Sequence, residues 1–219
     1  MGITLLTAMT ANLRDDLKDL DATSYLWTDA ELQRHLQHAV NDYQRVYPLL
    51  ANATITVVAD SNGLTRRQSV GSPLPTGYLW TERVEYPIDN DPPAYLTFRE
   101  ELPDQGSLYL PTGDQPLAGD SLKVWYASQH TLSASTSTIM TEHEEVITLG
   151  GVAYAAQAAT RYAQHRLNAS YWTPKGISDF AVEKMAEYKI ALSQVAASYS
   201  SPGVPNPQWG QVDREWYRL

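Results

Sequence analysis

Residues 27–48 read WTDAELQRHLQHAVNDYQRVYP, and this stretch decides the fold class of the first part of the chain. Thr28 and Glu31 fit the S/T-x-x-E capping box, in which each side chain satisfies the other's backbone N–H. Trp27 before the cap and Leu32 at the fourth position complete a hydrophobic staple. Leu32, Leu36, Val40, Tyr43 and Tyr47 then recur at helical spacing until Pro48, which has no N–H to continue the ladder. Upstream, Leu5, Met9, Leu13, Leu17 and Leu20 make a second apolar stripe, with Asp15, Asp16, Asp19, Asp21, Arg14 and Lys18 read as its solvated face. Two helices are therefore expected to open the chain.

Downstream the period changes. Ala53–Ala59 alternates and is β-branched, and Asn62-Gly63 is a hairpin-turn signal leading into Thr65–Val70. Tyr78–Ile88, Ala94–Phe98, Ser107–Leu110 and Leu122–Ala127 also read as strands, kept short by most of the chain's 13 prolines. After a polar stretch, His130–Ser137, Thr141 and Glu144 repeat the capping-box spacing for a helix to about Leu167. Its middle, GGVAYAAQAAT, is small enough for a neighbour's backbone to approach closely. A fourth helix is expected over 178–198, with Val182, Met185, Leu192 and Val195 inward. The expectation is an α+β chain: a four-helix body (1–51 and 129–199), an inserted small antiparallel β domain (52–128) and an extended C-terminal arm (200–219). In the arm, Pro202, Pro205 and Pro207 block helix and leave Trp209, Trp216 and Tyr217 as aromatic anchors.

Composition narrows the function. The chain has 219 residues, a net charge of −9 and no cysteine, which removes disulfides, thiol catalysis and cysteine–zinc sites. No basic stripe is present to displace counterions from a phosphate backbone. No apolar run reaches the ~18 residues of a membrane span. The opening residues lack a secretory pattern, and Leu6 stands where an N-myristoylation signal needs Ser or Thr. A soluble protein made in the cytoplasm is expected. The chain holds 14 tyrosines and 6 tryptophans against 2 phenylalanines, a bias toward side chains with an apolar body and a polar tip, suited to surfaces covered by a partner.

Five local patterns carry chemical letters. Gly119-Asp120-Ser121-Leu122 spells the GDSL of a lipase/esterase family, but no Asp-x-x-His follows to activate Ser121, and a turn into a strand explains it. Glu142-His143-Glu144-Glu145 lacks the HExxH spacing that aims two histidines at one metal, and first-turn carboxylates complement the helix dipole. Asp60-Ser61-Asn62-Gly63 lacks the closing Glu of a calcium loop. Histidines 35, 38, 143 and 165 have no zinc spacing, and Glu100-Glu101 has no partner legible in sequence. Neither catalytic residue, cofactor nor metal is expected.

The helix pair around LRDDL (13–17) and 27–48, together with SLKVWYASQHTL (121–132) running into TEHEEVITLGGVAYAAQAATRYA (141–163), resembles the head-to-tail adaptor (neck) proteins of tailed bacteriophages. In the second segment a last strand hands over to His-x-Leu and then to a His-Glu-Glu helix start; the β insertion matches in position more than in sequence. One departure is Met140, where the pattern leads one to expect proline. The resemblance implies a ring of twelve copies in the virion neck, below the capsid portal, that extends the DNA channel and receives tail, stopper or tube proteins. It implies a C-terminal segment docked on the portal, here Val204, Pro205, Trp209, Val212, Trp216, Tyr217 and Leu219. Asp15, Asp16 and Asp19 are candidates for an acidic lumen past which double-stranded DNA slides unbound. The rival expectations are a small serine hydrolase using Ser121 and a tail-tube or head-completion component.

Overall fold

A computed structural model describes residues 5–23, 25–71, 74–101, 106–111, 116–165 and 174–199, so the C-terminal arm lies outside the described residues. The chain is α+β, and it forms two compact units. Among the described residues, one comprises those up to Pro48 together with those from His130 to Tyr199; the other is Leu49–Gln129.

The first unit is helical. Helix α1, Leu6–Asp16, stops a turn short of the apolar stripe. Lys18 takes a left-handed φ of 56°, and the Lys18 and Asp19 amides return to the carbonyls of Asp15 and Arg14. This is the Schellman closure, with lysine where glycine is usual. Leu17 stays half-buried and Leu20 is 59 % exposed, so the last member of the expected stripe faces water. Helix α2, Asp29–Val46, starts with the full capping box, and Trp27 and Leu32 are both buried beside it.

Helix α3, Glu144–His165, starts differently from the expectation. A single 3₁₀ turn, Thr141–His143, precedes it, Met140 is the cap residue, and no side chain caps the turn, so the Thr141/Glu144 box does not form. Helix α4 runs Pro174–Tyr199. Its core stripe is Ala181, Tyr188 and Val195, spaced by seven, which turns Val182 outward to 68 % exposure and corrects its expected inward position.

The small residues of α3 have a definite use. A Cβ placed on Gly150 would lie 2.6 Å from Cε2 of Tyr188 and 2.7 Å from the Ala39 Cβ. What approaches Gly150 is thus an α4 ring and an α2 methyl. The Tyr188 hydroxyl donates to the Ala39 carbonyl at 3.1 Å, tying α4 to α2 across this spot. Gly150→Ala gains about 1 kcal/mol of helix propensity but must displace a buried ring and a helix backbone, an overpacking that costs typically ~1–3 kcal/mol. The expected net result is a lower denaturant midpoint with an unchanged m-value; a midpoint above wild type would show that the helices part without strain.

The second unit holds two antiparallel sheets. Strands β1 (Leu49–Thr56), β7 (Ser121–Ser128), β3 (Tyr78–Glu85) and β4 (Tyr95–Leu96) form the larger in that order; β2 (Arg67–Ser69), β6 (Ser107–Tyr109) and β5 (Arg99–Glu100) form the smaller. Val57, Val70, Val84, Leu108, Leu110, Leu122 and Val124 bury their side chains between them. The Asn62-Gly63 turn is present: Gly63 has φ +75°, and Asp60 Oδ1 accepts from the Asn62 and Leu64 amides. It does not close a hairpin, however. β1 pairs with β7 from Leu49↔Ser128 to Thr56↔Ser121, and β2 pairs with β6, so the turn passes the chain from one sheet to the other.

Candidate assembly surfaces

Two histidines of the quoted segments, His130 and His143, meet the end of α2. The His130 ring spans two backbone carbonyls: Nε2 lies 2.9 Å from that of Tyr47, and Nδ1 lies 3.1 Å from both the carbonyl and the hydroxyl of Thr138. The Tyr43 hydroxyl lies 2.7 Å from His143 Nδ1, and Tyr47 stacks on Tyr43 at 5.6 Å. Both histidines of the SQHTL…TEHEE segment therefore fasten the last turn of α2. Burial holds the His130 imidazole below its usual pKa, opposed by its hydrogen bonds to Tyr47 and Thr138. Burial likewise raises the Tyr43 phenol, so both groups are neutral at pH 7.

The other lettered patterns each have local partners. Gly119 takes φ +95° in a turn, Asp120 accepts from the Leu117 amide and the Tyr86 hydroxyl, and Ser121 opens β7 opposite Thr56. The Tyr86 hydroxyl, then the Leu117 amide, holds the Asp120 carboxyl below its ordinary range. Glu100, read in sequence as partnerless, accepts from the Tyr78 hydroxyl and the Gly106 and Thr81 amides, while Glu101 pairs with Arg67 at 3.2 Å. His35 packs edge-on against Trp27 and His38 tilts against Tyr154. Among the described residues no three metal-capable side chains converge.

The acidic face of α1 divides. Asp15 and Asp16 are exposed, whereas the Asp19 carboxylate is 8 % exposed and accepts from Arg14 and from the Leu26 and Trp27 amides. Asp19 organises the α1–α2 connection and is withdrawn from the open acidic surface expected of it. The arm candidates Val204, Pro205, Trp209, Val212, Trp216, Tyr217 and Leu219 lie outside the described residues.

What the sequence did not disclose is a groove of about 770 Å³ in the helical unit. Among the described residues its apolar lining is Met9 of α1, Leu149 and Val152 of α3 and Phe180 of α4; Asp16, Glu144, Glu145, Glu187 and Lys184 stand around it. Lys184 lies 2.8 Å from Glu187. Only the convergence of three helices brings these residues together, because they are spread from position 9 to position 187.

No protein-family model and no curated protein matches the chain. Among solved structures, the chain is similar to one described as the neck of an empty gene transfer agent (GTA) particle computed with C6 symmetry. That match has 15 % identity and a TM-score of 0.30 and covers 84 % of this chain and 92 % of the other. It is also similar to a chain from the virion of a native GTA particle, at 13 % identity and a TM-score of 0.29 over the same shares.

Proposed function

We propose that this chain is a structural subunit of the neck of a tailed-phage-like virion, a head-to-tail adaptor ring of twelve copies. The ring sits below the portal, lengthens the DNA channel and offers its far side to tail, stopper or tube proteins. One observation carries the reading: two separate stretches that resemble the adaptors, 27–48 and 141–163, are packed as α2 against α3, and the pattern's His130 and His143 lock onto Tyr47 and Tyr43. The signature thus describes one packed arrangement rather than scattered letters. Exposed Asp15 and Asp16 suit a lumen that repels phosphate, so DNA passes without being gripped.

The test is electron microscopy of the purified protein alone and mixed with portal. Closed rings coaxial with the portal are expected; a monomer in both samples would overturn the proposal. The serine-hydrolase alternative predicts ester turnover that vanishes in Ser121→Ala, and the adaptor reading predicts none. The free protein should also ignore duplex DNA. Micromolar binding at physiological salt that weakens steeply as salt rises would count against the acidic lumen.

A further inference from the structure

We propose that the outer edge of β1 is a pairing surface for a second copy of this chain. The two β1 strands run antiparallel about a two-fold axis at Ala53 and join the two four-stranded sheets into one. The proposal does not depend on the ring, whose head-to-tail contacts are of another kind from a two-fold contact. It begins with the way the sheets end. A sheet edge shows a row of unpaired N–H and C=O groups, and proteins blunt it with short strands, charge or proline. Three edges here are blunted so. β4 has two residues and follows Pro92-Pro93, β2 has three and carries Arg67, and β5 is the pair Arg99-Glu100. β1 differs: Leu49–Thr56, LLANATIT, has eight residues, no charge, no proline and an unbroken register with β7. Among the described residues no strand pairs with its other side.

The occupant follows from which groups face outward. Val57 donates to the Asp120 carbonyl at 2.8 Å and accepts from the Gly119 amide at 3.0 Å, so its backbone turns toward β7. Backbone groups alternate along an antiparallel strand. Those of 49, 51, 53 and 55 therefore face β7, and those of Leu50, Asn52, Thr54 and Thr56 face the open edge. Pairing β1 with itself about Ala53 sets Leu50 opposite Thr56 and Asn52 opposite Thr54, and each such pair exchanges two backbone hydrogen bonds. No outward amide or carbonyl between 50 and 56 is left over. No like charges meet, although the chain carries a net charge of −9. On the inner face Ala51, Ala53 and Ile55 are half-buried against the sheet core, and the same three residues of the second copy complete their cover. Among the described strands only β3 and β7 are as long, and both lie inside the sheet, so this chain has no other free edge to match β1.

Sedimentation of the full-length chain tests the pairing. Asn52 and Thr54 are exposed, so replacing both by lysine in one variant, Asn52→Lys with Thr54→Lys, leaves the fold intact, as does Asn52→Glu with Thr54→Glu in another. An unchanged Tm checks this. In either variant the pairing would set like charges opposite each other. The wild-type chain is expected to pass from monomer to dimer as its concentration rises. Each variant alone should associate about tenfold more weakly, and the mixture of the two should recover. The amides of 50, 52, 54 and 56 should exchange with deuterium more slowly where the dimer forms. Protection that is independent of concentration would assign the edge to a segment of the same chain and overturn the proposal. A wild-type chain that stays monomeric would leave the edge to a strand of another protein and overturn it too, as would variants that associate like wild type. Rings that form equally from wild type and both variants, with no dimer, refute the pairing and leave the adaptor reading intact. A dimer that forms no ring even with portal supports the pairing and refutes the adaptor.

Discussion

Replacing Arg14 by alanine is expected to destabilise the helical unit by about 3–5 kcal/mol, the range for removing one partner of a buried ion pair. Arg14 is 8 % exposed on the last turn of α1. Its guanidinium donates to Asp19 Oδ2 at 2.7 Å, to Asp29 Oδ1 at 2.6 Å and to the Trp27 carbonyl at 3.0 Å, and it lies 3.8 Å from the centroid of the Tyr25 ring. One planar group thereby ties the end of α1, the connecting loop and the start of α2 together. Alanine leaves the buried Asp19 carboxylate with no cation, and it leaves the loop without its cross-link. Arg14→Lys should recover only part of the loss, since a single ammonium cannot reproduce a planar fork aimed at three acceptors. Asp29→Asn is the control: that side chain is 71 % exposed, and its loss should cost under about 1 kcal/mol. Chemical denaturation of the three variants checks the ranking. An Arg14→Ala protein within 1 kcal/mol of wild type would mean that the network is ornamental.

Acidification should weaken the protein through His35. This imidazole is 5 % exposed on α2, packed against Trp27, and neither ring nitrogen has a hydrogen-bond partner. Burial pushes its pKa down to about 4, helped by Arg34 and His38 and opposed by Glu31. Because the folded pKa lies below the ordinary value near 6.5, the unfolded chain binds the proton first. The stability is therefore intact above pH 6.5 and drains as pH falls toward 4, at up to ~1.4 kcal/mol per unit from this one group. Between pH 6.5 and 5 the loss should approach ~2 kcal/mol, on the order of 4–8 °C in Tm for a chain of this size. The buried His130 shifts in the same direction, so the measurement is a difference. His35→Phe, which keeps a ring against Trp27, should flatten the pH dependence by about one proton. If the two pH profiles stay parallel, His35 is not the titrating group.

The sequence carried signals of two kinds here. Local signals survived: the Thr28–Glu31 box, the Trp27/Leu32 staple and Pro48 as a stop each depend on residues a few positions apart, and Asn62-Gly63 kept its turn while losing the hairpin expected of it. Where competing local readings existed, the sequence chose poorly. The Thr141/Glu144 box lost to a 3₁₀ turn, and Val182 lost its inward place to a stripe built on Tyr188, one residue out of phase. The candidate surfaces were less legible than the fold. Asp15 and Asp16 could be read as open carboxylates because nothing distant claims them. Asp19 looked the same in sequence, but Arg14 and the amides of Leu26 and Trp27 claim it.

By itself the sequence determined which segments are helical, that short strands fill the stretch between them, and that the chain is acidic, free of cysteine and rich in tyrosine and tryptophan. Those properties follow from hydrophobic period, caps and proline, whose energetics are settled within one or two turns of chain. The tertiary structure alone decided that β1 pairs with β7 instead of β2, that Gly150 makes room for Tyr188 and Ala39, and that Met9, Leu149, Phe180 and Lys184 share one groove. Each of these joins residues tens to more than a hundred positions apart. Which partner is chosen depends on the relative fit of whole surfaces, since an apolar strand or stripe specifies that it must be covered and leaves open by what.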